Sequence, residues 1–326
     1  MEAGAINMET KKDINPGINN LKRISLHDID LADRYFKISR NQISDELRSS
    51  IRDFGVLDPP VLAEREGNYR VVFGFNRLDI LHETGIDSVE AQVAPKIDAE
   101  FFITRALLKC LRNESGPVGR IRIISILKDF GMGIDRLDLI GKRGLHVPEE
   151  FVRDDSLIAR VHELPVPVKD FMDNRDIQFR IIRDVIRLPR AAVNTISSWL
   201  EFAPLRVNIF KFIIDMLMDI RTRDGDTGFI DQIRPDDSID RKQWDEYLYK
   251  RVREVRYPDH AVLKSGADEV ARYFSLRGIR IDYPPYFEGD RIDLTVSLGK
   301  RDEPESILKK FQDADWARLK KLLDLL

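Results

Sequence analysis

The residues best placed to do chemistry are Gly74, Phe75, Asn76 and Arg77, which follow the strand-like run Tyr69–Phe73. A glycine between a strand and a helix leaves backbone N–H groups at the helix N-terminus, and these groups attract anions together with the helix dipole. Arg77 adds a guanidinium group whose planar donors match the oxygens of a phosphate. The spacing therefore predicts a phosphate-binding turn, with a tight turn and a solvated arginine as the ordinary alternative.

The pattern on either side of this turn predicts a small α/β domain over residues 21–96. Apolar residues at helical spacing predict a helix from Gln42 to Phe54, which ends at Gly55. A strand interrupted by Pro59 and Pro60 is expected to lie at a sheet edge or to begin after the prolines. The remaining elements are strands Ile24–Leu26, Tyr69–Phe73 and Ser88–Val93 and a helix that stops at Gly85. The predicted order is β-α-β-β-α-β.

Two segments of this domain carry a pattern of their own, namely Gly55–Leu62 with its two prolines and Gly74–Leu78 with its arginine. They resemble the N-terminal domain of the ParB family, the partition proteins of bacterial chromosomes and plasmids. In that family the two turns hold the base and the triphosphate of a cytidine nucleotide. The resemblance implies CTP or another nucleotide as the ligand, with contacts from Gly55, Asp58, Gly74, Phe75, Asn76, Arg77 and Lys109.

The resemblance covers residues 24–200 and includes Ala106–Glu114, which matches the family's phosphate- and metal-binding helix, and Ile158–Met172. Sulfiredoxin shares the α/β module but uses a cysteine of the same turn as its nucleophile. The turn of this chain has no cysteine, so sulfiredoxin chemistry is excluded. Cys110 lies on a predicted helix beside apolar residues and is expected to be a buried, inert thiol.

The sequence departs from the family pattern at three places. Phe75 and Asn76 stand where the family has Glu-Arg, Asp58 stands where it has Gln, and Lys109-Cys110 stands where it has Glu-Asn. Because Mg²⁺ requires oxygen ligands that a lysine and a thiol do not supply, binding of Mg²⁺ is doubtful. We therefore expect nucleotide binding without hydrolysis, and no residue is assigned a catalytic role.

Two other classes of function stay open. A small-molecule kinase or a nuclease on the same module would need an acid to hold Mg²⁺, and the nearby candidates are Glu46, Asp58 and Glu114. An interaction scaffold would bind neither nucleotide nor DNA. The requirement for Mg²⁺ separates the enzyme from the binding protein, and a nucleotide screen with and without DNA separates both from the scaffold.

The region after residue 96 is predicted to be helical up to residue 220, and the resemblance to the ParB family implies a degenerate helix-turn-helix between residues 134 and 162. Three arginines share one face of a later helix because they are spaced i, i+3 and i+7. The predicted DNA contacts are Lys142 and Arg143 in the turn, with Arg180, Arg183 and Arg187 on this face. A solvated face paired with Asp176 and Asp184 is the equally ordinary alternative.

The chain of 326 residues has a net charge of −3 and 43% hydrophobic residues, which is typical of a globular protein. One cysteine excludes a disulfide framework, and five scattered histidines have no metal-ligand spacing. The sequence shows no apolar run of about 18 residues and no secretory signal, so a cytoplasmic protein without a membrane partner is expected. A homodimer stays open.

The predicted fold class is α+β. The expected domains are a disordered tail at 1–20, the ParB/sulfiredoxin-like α/β domain at 21–96 and an all-helical domain at 97–220. A linker at 221–240 then leads to a small C-terminal αββα unit at 241–326.

Overall fold

The structure, a computed structural model, describes residues 21–235, 238–283, 291–296, 305, 309 and 311–324. The predicted tail at residues 1–20 lies outside the described residues. The chain divides into two compact units, Met1–Val207 and Asn208–Leu326. A small mixed sheet near the N-terminus, a helical middle region and a small C-terminal sheet confirm the predicted α+β class. Within the described residues, no helix is long and apolar enough to cross a membrane.

The first unit begins with a mixed sheet of strands β1 (Leu21–Ser25), β2 (Ile29–Asp30), β3 (Val61–Arg65), β4 (Asn68–Phe73) and β5 (Ser88–Ala94). The strand order is β1-β5-β3-β4-β2. The β1–β5 and β3–β4 pairs are antiparallel, and the β3–β5 and β2–β4 pairs are parallel. With helices α1 (Asp45–Phe54) and α2 (Phe75–Glu83), the predicted β-α-β-β-α-β order is observed, and β2 is a short addition.

Strand β3 begins after the prolines, which is one of the two alternatives that the sequence left open. It lies in the middle of the sheet and not at an edge. Proline has no N–H group to donate to the hydrogen bonds between strands. The Pro60 carbonyl oxygen nevertheless accepts a hydrogen bond from the Gln92 amide at 2.9 Å. Leu62 of β3 and Val71 of β4 are completely buried, so this pair of strands forms the core beneath the turn at Gly74.

Helix α1 begins three residues later than its apolar spacing predicts. Ser44 is its N-cap, and the Ser44 hydroxyl accepts a hydrogen bond from the Leu47 amide at 3.2 Å. The helix ends at Gly55, which has a φ of +73°. Gly55 therefore terminates the helix as predicted, because a positive φ costs glycine nothing.

The rest of the first unit is helical, as predicted. Its helices are α3 (Ala99–Leu111), α4 (Pro117–Asp129), α5 (Ile134–Ile140), α6 (Glu149–Arg153), α7 (Asp155–Glu163), α8 (Val166–Asn174), α9 (Phe179–Arg187) and α10 (Arg190–Phe202). A π-helical turn, Gly141–Leu145, follows α5. Asp154 separates α6 from α7 and caps α7 by accepting a bond from the Ser156 amide at 2.8 Å. The helix-turn-helix expected in this region stays a prediction.

A buried carboxylate joins α8 to α4. Asp173 accepts hydrogen bonds from the backbone amides of Val118 at 2.7 Å and Gly119 at 3.3 Å, in the first turn of α4. Burial raises the pKa of the Asp173 carboxyl to about 6, although the two amides oppose this effect. Gly116 precedes α4, and a Cβ there would lie 2.5 Å from the Asp173 Cα atom. The backbone segments at Gly116 and Asp173 can therefore lie this close together only because residue 116 is glycine.

The second unit contains α11 (Val207–Asp224), α12 (Trp244–Arg256), α13 (Pro258–Ser275), the antiparallel hairpin β6 (Ile279–Asp282) and β7 (Asp293–Val296), and α14 (Trp316–Leu323). The predicted small C-terminal sheet is confirmed. Phe274, Ile279, Ile281 and Leu319 form its core. Residues 221–240 carry the end of α11 and a short 3₁₀ helix, Gly228–Gln232, whose Ile230 is completely buried.

Candidate functional site

The turn between β4 and α2 is built around Gly74. This residue is the N-cap of α2, has a φ of +98°, and no side chain caps the helix. A Cβ at this position would lie 2.7 Å from the Pro60 Cβ atom, so both the conformation and the space require glycine. The start of α2 is therefore held against the prolines that precede β3, with its first backbone amides at an uncapped end.

A cleft of about 380 Å³ opens at this turn. The predicted nucleotide contacts Gly74, Phe75, Asn76, Arg77 and Lys109 all line it, whereas Gly55 and Asp58 do not. The other lining residues are Ser39, Arg40, Gln42, Ser44, Leu47, Asn113 and Glu114. Residues that are far apart in the sequence therefore meet at one concave surface, as a ligand site requires.

Both cations that were predicted to bind phosphate are already paired with carboxylates. Arg77 Nη2 lies 2.5 Å from Asp58 Oδ2, and the two side chains are 18% and 62% exposed. Lys109 Nζ lies 2.6 Å from Glu114 Oε2. Asp58 thus stands beside the cleft as the partner of Arg77, and the cleft contains its own anions in place of a free positive surface.

Asp58 also acts on a second arginine. Arg105 donates a hydrogen bond to Gln92 Oε1 at 2.7 Å, and its guanidinium lies 4.9 Å from the centre of the Phe101 ring. Burial lowers the pKa of Arg105, and the charge of Asp58 partly opposes this effect. The Asp58 carboxylate therefore acts on two arginines, Arg77 and Arg105.

Arg40 and Asn113 are residues of the cleft that sequence reasoning missed. Arg40 Nη2 donates to Asn113 Oδ1 at 3.1 Å and to Asp176 Oδ1 at 2.8 Å. The Arg40 backbone oxygen accepts a bond from Asn76 Nδ2 at 3.1 Å. Among the described residues, Arg40 Nε and Asn76 Oδ1 are buried without a hydrogen-bond partner. Buried unsatisfied polar atoms are costly, and here one donor and one acceptor of this kind belong to residues that line the cleft.

Cys110 follows Lys109 on α3 and is half-buried. Burial raises the pKa of its thiol. The charge of Arg120, a hydrogen bond with Ser115 and the charge of Lys109 oppose this effect. The thiol is therefore protonated at neutral pH and a poor nucleophile. Over the part of the chain that the structure describes, no cluster of three or more His, Cys, Asp or Glu side chains is arranged to hold a metal ion.

The predicted DNA contacts lie in two places in the first unit. Lys142 and Arg143 are exposed on the π-helical turn. Arg180, Arg183 and Arg187 lie on α9. Arg180 pairs with Asp184 at 3.3 Å, and Arg183 lies 3.3 Å from Glu150 and 3.8 Å from Asp184.

One of the two acids named as alternative partners, Asp184, therefore does pair with these arginines. The other, Asp176, pairs with Arg40. DNA contact by the α9 arginines stays a prediction, and it would have to compete with these ion pairs.

No family model and no curated protein matches the chain. Among solved structures, the chain is similar to the C-terminally truncated chromosome-partitioning protein ParB from Caulobacter crescentus complexed with CTP-gamma-S. That match has 18% identity and a TM-score of 0.24, and it covers 54% of this chain and 98% of the other. The same protein complexed to the centromeric parS site matches with 16% identity and a TM-score of 0.25, over 60% of this chain and 97% of the other.

Proposed function

We propose that this protein binds CTP or another nucleotide at the Gly74 turn and associates with DNA, as a divergent ParB-like, partition-type protein that does not hydrolyse its ligand. The observation that carries the proposal is the convergence of the Gly74 turn, Arg77 and Lys109 on one cleft. Amides at a helix N-terminus, a guanidinium and an ammonium group are the donors that phosphate groups take in proteins. The sequence resemblance supplies the class of nucleotide.

Binding of a phosphate in this cleft is an exchange of anions. Asp58 is largely exposed, so water stabilises its carboxylate when it leaves Arg77, and the exposed pair contributes about 1 kcal/mol or less. Arg77 is mostly shielded from water and needs an anion in either state. A nucleotide would take the place of Asp58 at Arg77 and of Glu114 at Lys109, and affinity is expected to be moderate because two existing ion pairs must open.

The same arrangement disfavours hydrolysis. Phosphoryl transfer is accelerated by positioning and by neutralising the charge that spreads over the phosphoryl oxygens, which metal ions normally do. Lys109 supplies positive charge but cannot hold a metal ion, and the Glu114 carboxylate is taken by Lys109. A cation that stabilises the ground state and the transition state equally lowers the dissociation constant without raising the rate.

Calorimetry with CTP, ATP and GTP, in Mg²⁺ and in EDTA, tests this proposal. Arg77→Ala should weaken binding of the best nucleotide by about 1.5–3 kcal/mol, the scale of a charged hydrogen bond. Arg48→Ala is the matched control, since Arg48 also pairs with a carboxylate, Glu83 at 2.5 Å, but does not line the cleft.

Equal nucleotide affinities of the Arg77→Ala and Arg48→Ala variants would show that the turn has only a structural role. Steady hydrolysis in Mg²⁺ that stops in EDTA would contradict the non-hydrolysing function. It would favour the kinase or nuclease, and Asp58 and Glu46 would be the first acids to replace.

A further inference from the structure

The second unit has a groove of its own, of about 850 Å³, between α12 and α13. Each helix contributes one face, because the lining residues recur three or four positions apart. They include Tyr249, Lys250, Arg253 and Tyr257 at α12, and Lys264 and Arg272 on α13.

Four cations line this groove, two from each helix: Lys250, Arg253, Lys264 and Arg272. Within the described part of the second unit, none of these four side chains forms an ion pair or a side-chain hydrogen bond. Three of them are exposed and Arg253 is half-buried. As far as the described residues show, a ligand therefore reaches these charges without breaking an ion pair.

The three carboxylates of the groove, in contrast, already have partners that do not line it. These pairs are Glu254 with Arg251 at 3.0 Å, Asp268 with the Tyr283 hydroxyl at 2.5 Å, and Glu269 with Arg318 at 3.8 Å. Arg251 and Arg318 offset the charges of Glu254 and Glu269, whereas Asp268 keeps its charge because the Tyr283 hydroxyl is neutral. Four cations therefore face one carboxylate that, among the described residues, has no cationic partner outside the lining. The groove is therefore a positive surface, although its lining contains both signs of charge.

Two tyrosines complete the α12 side. Tyr249 and Tyr257 are eight residues apart, which is two turns and about 12 Å along the helix direction. Tyr257 is 47% exposed, and the Arg256 guanidinium lies 4.8 Å from the centre of its ring. An exposed aromatic ring next to cations offers a stacking surface to a flat, electron-rich group.

We infer that this groove binds single-stranded nucleic acid, with the four cations on the phosphates and the tyrosines stacked on unpaired bases. The cations are distributed along both helices, and Lys264 and Arg272 alone are separated by about 12 Å of helix. A compact anion could reach only one or two of them, whereas an extended polyanion reaches all four. An acidic peptide would use the charges but not the rings, and single-stranded nucleic acid uses both.

Fluorescence anisotropy with a labelled dT12 oligonucleotide and the full chain tests this inference. The double variant Arg253→Gln with Lys264→Gln should raise Kd about tenfold or more at low salt. It should also reduce the slope of log K against log salt by about 1.4, because each lost phosphate contact removes about 0.7 for a single strand. The control is Lys320→Gln with Lys321→Gln, which removes the same charge from exposed positions of α14 and should leave Kd unchanged.

A second variant tests stacking separately from charge. Tyr257→Leu keeps an apolar side chain and all charges, and it should raise Kd for dT12 about tenfold, because one base loses the aromatic ring on which it stacks. Binding of a poly-glutamate peptide should be weaker than that of dT12 and indifferent to Tyr257→Leu.

Four results would overturn the inference. The first three are no binding of dT12 at low salt, equal losses in the groove variant and its α14 control, and unchanged dT12 affinity in Tyr257→Leu. The fourth is a free mononucleotide that binds as tightly as dT12, because the groove would then hold a small ligand. Circular dichroism melting of each variant identifies any loss caused by unfolding, and the charge variant keeps the test decisive if Tyr257→Leu does not fold.

Discussion

The cleft at Gly74 and the groove between α12 and α13 both contain basic side chains, but their acids are placed differently. In the cleft, Asp58 and Glu114 pair with the same cations that a phosphate would use. In the groove, the acids pair with residues outside the lining. A count of charges therefore does not reveal which surface attracts an anion. The decisive property is whether the nearest carboxylate is bonded to the cation that faces the ligand.

The largest expected effect is a loss of stability caused by a substitution in the turn of the cleft, which leaves the groove unchanged. Gly74→Ala should destabilise the first unit by about 2–5 kcal/mol, which combines the cost of a positive φ for alanine with the clash against Pro60. Gly67→Ala is the control, since Gly67 has a φ of +91° and open space around its missing Cβ, and it should cost only about 1–2 kcal/mol.

Urea unfolding measures both values. Nucleic-acid binding at the groove should persist in Gly74→Ala under conditions in which the second unit stays folded. Equal costs for the two substitutions would mean that Pro60 moves aside.

A smaller effect is expected on the pH dependence of stability, and it concerns the first unit only. Burial lowers the pKa of His162 on α7 to about 4, with further lowering by Arg122 and Lys169, and its Nε2 atom is buried without a hydrogen-bond partner among the described residues. The unfolded chain binds the proton more tightly, so this contribution to stability is complete above about pH 6.5 and is lost as the pH falls towards 4.

The contribution of His162 to the stability of the first unit should therefore fall by up to about 2 kcal/mol over this range, a value reduced for the partial exposure of the ring. His162→Gln should remove this contribution, so the difference in stability between the variant and the unaltered protein should change by that amount between urea unfolding at pH 6.5 and at pH 4.5. The contribution of Asp173 to the pH dependence of stability has the opposite sign. Its raised pKa stabilises the folded state at low pH, and this stabilisation is lost as the pH rises through about 6. A slope that is unchanged in His162→Gln would assign the pH dependence to other groups.

Asp58→Asn should make the cleft resemble the groove in one property, because Arg77 then has no carboxylate partner that competes with a ligand. Removing the competing carboxylate frees Arg77, so nucleotide affinity should increase about two- to fivefold in calorimetry, in keeping with the modest strength of an exposed ion pair. Glu83→Gln frees Arg48 in the same way away from the cleft and should change nothing. A weaker affinity in Asp58→Asn would show that Asp58 itself contacts the ligand, as the sequence resemblance implies.

The smallest effect is expected on α9. Changing Arg180, Arg183 and Arg187 together to Gln should weaken duplex DNA binding only a few-fold, because Arg180 and Arg183 must first leave carboxylates. The salt dependence should flatten as well, since each phosphate contact contributes about 0.9 to its slope. Mobility shifts at low salt measure both quantities. No shift for the unaltered protein would end the hypothesis of DNA binding by the first unit.

Much of the first unit could be predicted from local sequence. The alternation of apolar residues gave the strands, and Gly55 and Gly74 marked the helix end and the turn, because the conformation of a glycine is a local property. Helices α6 and α8 lie within the predicted helical region but have weak local signals of their own, since α6 has five residues and α8 follows directly after Pro165 with a proline in its first turn.

The partners of the charged residues could not be predicted in the same way. Arg40 meets Asp176 across 136 positions, and Arg77 meets Asp58 across 19, so no periodicity of a single element contains these contacts. The groove was missed for a related reason. The spacing of Lys264 and Arg272 on one face is visible in the sequence, but only the packing of α13 against α12 shows that Lys250 and Arg253 lie opposite.

The cap that Asp173 places on α4 has a consequence for how such a chain can change over generations. Gly116 leaves no room for a side chain beside Asp173, and the Asp173 carboxylate serves amides that only this close approach can present. A larger residue at position 116 would be tolerated only if the backbone around position 173 moved or a different residue stood there. The two positions are 57 apart, yet in related sequences they should be inherited as a pair, with glycine at one wherever aspartate is found at the other.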